Sequence, residues 1–246
     1  MNHQTTIEKM KAMRLSGMAH TYHNALQNQL YQDYTTDQYI ALLVEQEWEH
    51  RYNRKMQNLI KTARFKAQAS IQNVDFTTNR GLDKNTFQRL ASLDFMAKHQ
   101  NIIITGPTGT GKSYLAQAIG QQACIQLHKT RYYSTSRLMD DIALARLQGT
   151  YHKLIGQIRK TRLLILDDFG LHPFNQQIRK ALMDIIEDRY GQASVIIAAQ
   201  IPVSAWHQLI GEGTIADAIL DRIIHNAHRI QLSGDSLRKN NKTLSN

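Results

Sequence analysis

The chain has a single cysteine, Cys124, among its 246 residues. That excludes an internal disulfide framework and any zinc site built from several cysteines. It has 3 prolines and only 7% aromatic residues, too little turn and strand material for an all-β or low-complexity chain. No apolar run approaches the roughly 18 residues that a membrane-crossing helix needs, so no membrane role is expected. The opening MNHQTTIEKMKAMR puts no apolar stretch behind its charges, so a secretory leader is not expected and a cytoplasmic protein is. Acidic residues are scarce as well: 20 Asp plus Glu against 30 Lys plus Arg leave a formal net charge of +10. Such an excess attracts polyanions, and nucleic acid is the commonest of these inside a cell. With 42% hydrophobic residues, the chain can bury a core without cross-links.

What is present falls into two styles. Residues 1–70 read as a small all-helical domain. Thr5 or Thr6 can cap a first helix along which Ile7, Met10, Leu15, Met18, Tyr22 and Leu26 recur at helical spacing. Thr35, Thr36 and Asp37 supply caps for a second, whose Val44, Trp48, Tyr52, Met56 and Ile60 step by four along one face and read as core. Its end is cationic: Arg51, Arg54, Lys55, Lys61, Arg64 and Lys66 occur with no acidic residue between them. The helix macrodipole favours some of this charge, and a DNA-facing helix would account for all of it. Residues 71–100 read as a linker, broken at Asn79-Arg80-Gly81, that leads into a domain over 101–246. There, apolar runs at Ile102–Ile104, Leu163–Leu166 and Ser194–Ala199, with Arg131–Tyr133 as a further strand candidate, alternate with helical stretches such as Tyr114–Leu127. Alternation of this kind predicts an α/β fold, a parallel sheet wrapped on both faces.

The run Ile102–Ile104 leads into Gly106-Pro107-Thr108-Gly109-Thr110-Gly111-Lys112-Ser113. This is the phosphate-binding loop pattern, set between a strand and a helix as its mechanism requires. The glycines let the backbone curl so that N–H groups face phosphate oxygens, and the following helix adds its positive end. Lys112 is placed to reach the β- and γ-phosphates of ATP, and the Ser113 hydroxyl to hold Mg²⁺. Leu163-Leu164-Ile165-Leu166-Asp167-Asp168 sets two carboxylates at the end of another strand. Asp167 suits the metal, through water, and Asp168 suits orienting or deprotonating an attacking water. No Asn-Lys-x-Asp tetrapeptide is present, which favours ATP over GTP. His20/His23 and His225/His228 lack the partners of a metal site.

The loop GPTGTGKS, the strand LLILDDFG and the stretch Ala216–Arg222 together resemble AAA+ ATPases, and within them the IstB-like helpers of insertion-sequence transposition, a branch similar to DnaC-type helicase loaders. Gly17-Met18, Pro202–His207 and Gly234–Lys239 extend the resemblance over nearly the whole chain. It implies a sensor role for Gln200 at the γ-phosphate, an arginine finger at Arg222 acting on a neighbouring subunit, and a second sensor-like role for Arg238. An arginine so used offers paired donors to a phosphoryl group whose charge is shifting; the plain alternative is pairing with Asp217 or Asp221 along the helix. A finger acting in trans implies self-association into ATP-dependent oligomers, as rings or filaments. The resemblance also implies a DNA-facing surface drawn from Arg51–Lys66 and from Arg137, Arg146, Lys153, Arg159, Lys160 and Arg162. Contacts there would go to the phosphates of duplex DNA, largely without sequence preference. The implied partner is a transposase, with a replicative helicase as the alternative. A small-molecule kinase is the reading of another class, disfavoured because nothing resembles an acceptor-binding lid.

Overall fold

The computed structural model describes residues 2–28, 34–211 and 213–237. The chain divides into two compact units, residues 1–58 and 59–246. In the first, the expected opening helix is two: α1 (His3–Ala12) and α2 (Ser16–Gln27). The cap of α1 is Asn2, whose side chain accepts from the Gln4 N–H, and not Thr5 or Thr6. The break falls at Arg14, which adopts a left-handed φ of 60°. The long helix α3 (Thr36–Ala63) opens on a reciprocal cap: Thr35 N–H donates to Gln38 Oε1 at 3.0 Å, and Gln38 N–H to Thr35 Oγ1 at 3.3 Å.

The side of α3 that packs is not the one its hydrophobic stripe suggests. Val44 and Trp48 are 55% and 67% exposed, while Leu43 and Glu47 are buried. The reason is Glu47. Its Oε2 accepts the Gly17 and Met18 N–H groups at 2.7 and 3.2 Å, capping α2 from outside, and its Oε1 takes Arg51 Nε at 2.6 Å. Burial pushes the Glu47 carboxyl up, but Arg51 and the two amides outweigh it, so the group sits below the usual range. Gly17 permits the approach: a Cβ there would lie 2.6 Å from Gln46 O and 2.8 Å from Glu47 Cα, both backbone atoms that cannot swing aside. Gly17→Ala should therefore lower stability by about 2–3 kcal/mol, measured by urea denaturation; an unchanged midpoint would mean that the helices separate freely.

In the second unit, α4 (Lys84–Ala91) and α5 (Asp94–Ala97) precede β1 (Asn101–Thr105) and α6 (Lys112–Ile125). Then come β2 (Thr130–Ser134), α7 (Thr135–Leu147), α8 (Tyr151–Arg159), β3 (Leu163–Phe169), α9 (Gln176–Arg189) and β4 (Ser194–Ala199). A short 3₁₀ turn leads to α10 (Trp206–Ile210), α11 (Gly213–Ile224) and β5 (Ala227–Gln231). The strands form one sheet in the order β2-β3-β4-β1-β5, with every pairing parallel. Alternate residues feed two cores: Ile102 and Ile104 pack with α4, α5 and α6, whereas Ile103 faces α9 and α11. Burial on both faces explains why β1, β3 and β4 read as apolar runs, whereas β2, TRYYS, is an edge strand of mixed character. The fifth, AHRIQ, is an edge strand with only Ile230 buried, which hides it from a hydrophobicity reading. Among the described residues, no helix is long and apolar enough to cross a membrane.

Candidate nucleotide site

The loop Gly106–Gly111 joins the end of β1 to the start of α6, at the carboxyl edge of the parallel sheet where such folds bind ligands. Gly109 and Gly111 take φ of 84° and 95°, which side chains with a Cβ resist. Lys112 is only 7% exposed, and its Nζ donates to Pro107 O at 2.7 Å across the loop. The Thr110 hydroxyl donates to the same oxygen at 2.9 Å.

Asp167, at the end of β3, is buried beside it. Its Oδ1 accepts from Ser113 Oγ and from the Asp168 N–H, each at 2.9 Å, and its Oδ2 from the Tyr132 hydroxyl at 2.7 Å. The Thr135 hydroxyl donates to its backbone oxygen at 2.9 Å. Burial first, then the Asp167 carboxylate, pushes the Tyr132 phenol well above its ordinary pKa, so it remains a donor. Asp168 has a φ of 56°, and the pairing of β3 with β4 slips between Leu166 and Phe169. A bulge of this sort re-aims a side chain and stores local strain. Gln200 follows β4, and its Oε1 accepts from the loop hydroxyl of Thr108 at 2.9 Å.

The fold thus gathers Gly106–Ser113, Asp167, Asp168 and Gln200 at one edge. Arg222 is elsewhere. It lies near the end of α11, where its backbone oxygen accepts from Asn101, the first residue of β1. The length of β1, roughly 13 Å of strand, separates it from the loop. Its guanidinium pairs with Glu187 at 2.7 Å and lies over the Tyr190 ring, not with Asp217 or Asp221 as helical spacing allowed. Arg238 lies outside the described residues.

Three supports went unread in the sequence. Tyr132 and Thr135 hold Asp167, as above. Arg80, almost fully buried, donates to Thr110 O and to Asp75 O, both at 2.7 Å, bracing the loop from behind. Residues after β5 complete the brace: Leu232 N–H donates to Thr105 O at 2.7 Å, Ser233 N–H to Arg80 O at 2.9 Å, and Leu237 N–H to Gly109 O at 3.0 Å. Neither a tyrosine in the mixed strand TRYYS nor an arginine beside a glycine break marks itself as a support.

The basic residues separate into kinds. Arg51 has a counter-charge that its own segment does not show, Glu47 one turn earlier. Arg146 is stacked 4.1 Å from the Tyr151 ring centre. Arg54, Lys55, Lys61, Arg64, Lys153, Arg159 and Lys160 are exposed. Arg64 and Lys153, far apart in sequence, meet with Arg131 around a depression of about 390 Å³ that also reaches Tyr133 on the edge strand β2.

Residues 8–245 match the family model described as IstB-like ATP binding protein. A putative insertion sequence ATP-binding protein of Sinorhizobium fredii is 45% identical, the match covering 96% of this chain and 97% of that one. The insertion sequence IS21 putative ATP-binding protein of Pseudomonas aeruginosa is 30% identical over 83% of this chain and 77% of its own. Among solved structures, the crystal structure of DnaI superposes with a TM-score of 0.57 at 19% identity, over 72% of this chain and 93% of that one. AMPPCP-bound DnaA from Aquifex aeolicus gives 0.56, also at 19%, over 71% of this chain and 53% of its own. These two likenesses concern the fold alone. The chain belongs to the family of IstB-like ATP binding proteins, and it is an ATPase.

Proposed function

We propose that this IstB-like ATPase assembles on duplex DNA in its ATP-bound form and delivers or stimulates a transposase, with hydrolysis timing the release. The observation that carries the reading is the near full-length likeness to insertion sequence ATP-binding proteins, in a chain whose P-loop and strand-end aspartates converge. Replicative helicase loading remains an alternative only through the fold likeness to DnaI, which says nothing of partners.

The donor set fits a hard divalent cation, because Ser113 and Asp167 present oxygens side by side. These two residues would hold Mg²⁺, which supplies neutralising charge at the phosphate oxygens when bound. The remaining work belongs to the chain. Lys112 exchanges Pro107 O for oxygens of the β- and γ-phosphates. Tyr132 keeps the Asp167 carboxylate oriented as Ser113 turns toward its ligand. Asp168, re-aimed by the bulge, accepts a proton from the attacking water, and Gln200 bonds the γ-phosphate or that water. Arg222, which cannot span its own sheet, serves the nucleotide of a second copy.

For DNA, support comes from the +10 charge and from the meeting of Arg64, Arg131 and Lys153 beside β2. Such contacts neutralise phosphates and release counterions, so affinity should fall steeply with salt. Light scattering of the purified chain with duplex DNA tests the whole. Large complexes are expected with ATP at low salt, dissolving without nucleotide or at high salt. A species that stays monomeric under all four conditions would overturn the assembly.

A further inference from the structure

Arg80 stands in the break Asn79-Arg80-Gly81 between α3 and α4, where the end of β5 and the residues after it pin it. Its backbone oxygen accepts from Ser233 N–H at 2.9 Å. Gly81, at a φ of 74°, lies so close to Gln231 O that a Cβ would be 2.8 Å away. From that anchor the side chain, 3% exposed, runs behind the P-loop. Nη1 donates to Thr110 O and Nη2 to Asp75 O, while Nε is buried with no partner. A Cβ on Gly111 would lie 2.3 Å from Nη1, so the last glycine of the loop is what admits the guanidinium. Among the described residues Arg80 forms no ion pair. The one carboxylate that acts on it, Asp75, is occupied by the N–H groups and hydroxyls of Thr77 and Thr78. A guanidinium stays protonated, and a buried charge without a paired counter-charge is costly.

We propose that Arg80 is a positioning residue for the triphosphate, acting from behind the cradle through the Thr110–Gly111 peptide and through its own charge. A trans peptide is planar, with its C=O and N–H pointing in opposite directions. The Thr110 carbonyl points back to Arg80, so the Gly111 N–H points away from it, into the hollow of the loop, where a phosphate oxygen accepts it. Losing the guanidinium frees that peptide to turn. The charge works in the same sense, because ATP brings the counter-charge that the chain withholds. The inference goes beyond the roles given to Gly106–Ser113 and rests on their holding phosphate.

Full chains carrying Arg80→Met or Arg80→Lys are titrated calorimetrically with ATP, ADP and AMP. Methionine fills the channel but removes the charge and the donors. It should weaken ATP and ADP about 30-fold and AMP by no more than about 3-fold, because AMP lacks the phosphates that the loop holds. Lysine keeps the charge and a donor, and should bring ATP back to within about 5-fold of wild type. The KM for ATP should rise while turnover at saturating ATP stays near wild type, since Arg80 touches no reacting atom. A merely structural defect would weaken all three nucleotides alike, and lysine would not relieve it. Arg80→Met binding ATP within about 3-fold of wild type would overturn the inference. So would an equal loss for AMP, or no recovery with lysine. If circular dichroism shows Arg80→Met unfolded, Arg80→Lys decides: a deficit for ATP that AMP does not share supports the inference, and a shared deficit or none overturns it. Lys112→Ala separates the two possible failures. If it too keeps wild-type ATP affinity, the cradle reading fails and the inference with it; if it weakens ATP and Arg80→Met does not, the inference alone falls.

Discussion

Lys112→Ala loses ATP affinity by at least about 100-fold, because two charge-assisted contacts to phosphate oxygens disappear together. The fold should survive. Lys112 Nζ bonds Pro107 O, but Thr110 Oγ1 donates to that same oxygen, so the carbonyl is not orphaned. Alanine also ranks above lysine for helix formation at the start of α6. Titration of a fluorescent nucleotide measures the loss, and circular dichroism confirms retained helix. Affinity within a few-fold of wild type would mean that Gly106–Ser113 does not cradle phosphate in this chain.

Arg222→Ala should behave differently. Turnover falls by about 10²–10³, while nucleotide affinity stays at the wild-type value because the guanidinium is a strand length from its own P-loop. The ion pair lost with Glu187 is partly exposed, so it removes little stability. Mixed one to one with Lys112→Ala, random assembly gives about a quarter of interfaces with both an intact loop and an intact arginine. ATPase activity should recover toward that fraction. Assembly without recovery would show that Arg222 acts only within its own copy, or as a structural residue.

Much of this was legible because the determining physics is local. Ile102–Ile104 is buried on both faces, so a continuous apolar run marks it, and the loop behind it must carry glycine where φ turns positive. The Asp167-Asp168 pair was readable for the same reason, at the end of an apolar strand. Other features depend on residues distant in sequence. That Glu47 faces inward is set by two amides of α2, and this turned Val44 and Trp48 outward against the periodicity. Arg51 looked unpaired because its partner precedes the cationic segment. β5 is half polar because its faces are little covered, with only Ile230 buried. Tyr132 and Arg80 gave no pattern, since a hydroxyl reaching from an adjacent strand and a guanidinium reaching behind a loop have no fixed spacing from what they hold.

The backbone bonds from Leu232, Ser233 and Leu237 tie the segment behind the edge strand to Thr105, Arg80 and the loop glycine Gly109. Two parts that would otherwise fray separately, a one-sided strand and a glycine-rich turn, thereby open as a single cooperative unit. Whatever free energy ATP spends in ordering the loop returns as rarer opening of the strand, and a loosened strand weakens ATP by the same amount. The margin of the sheet is, in effect, a gauge of whether the nucleotide is present.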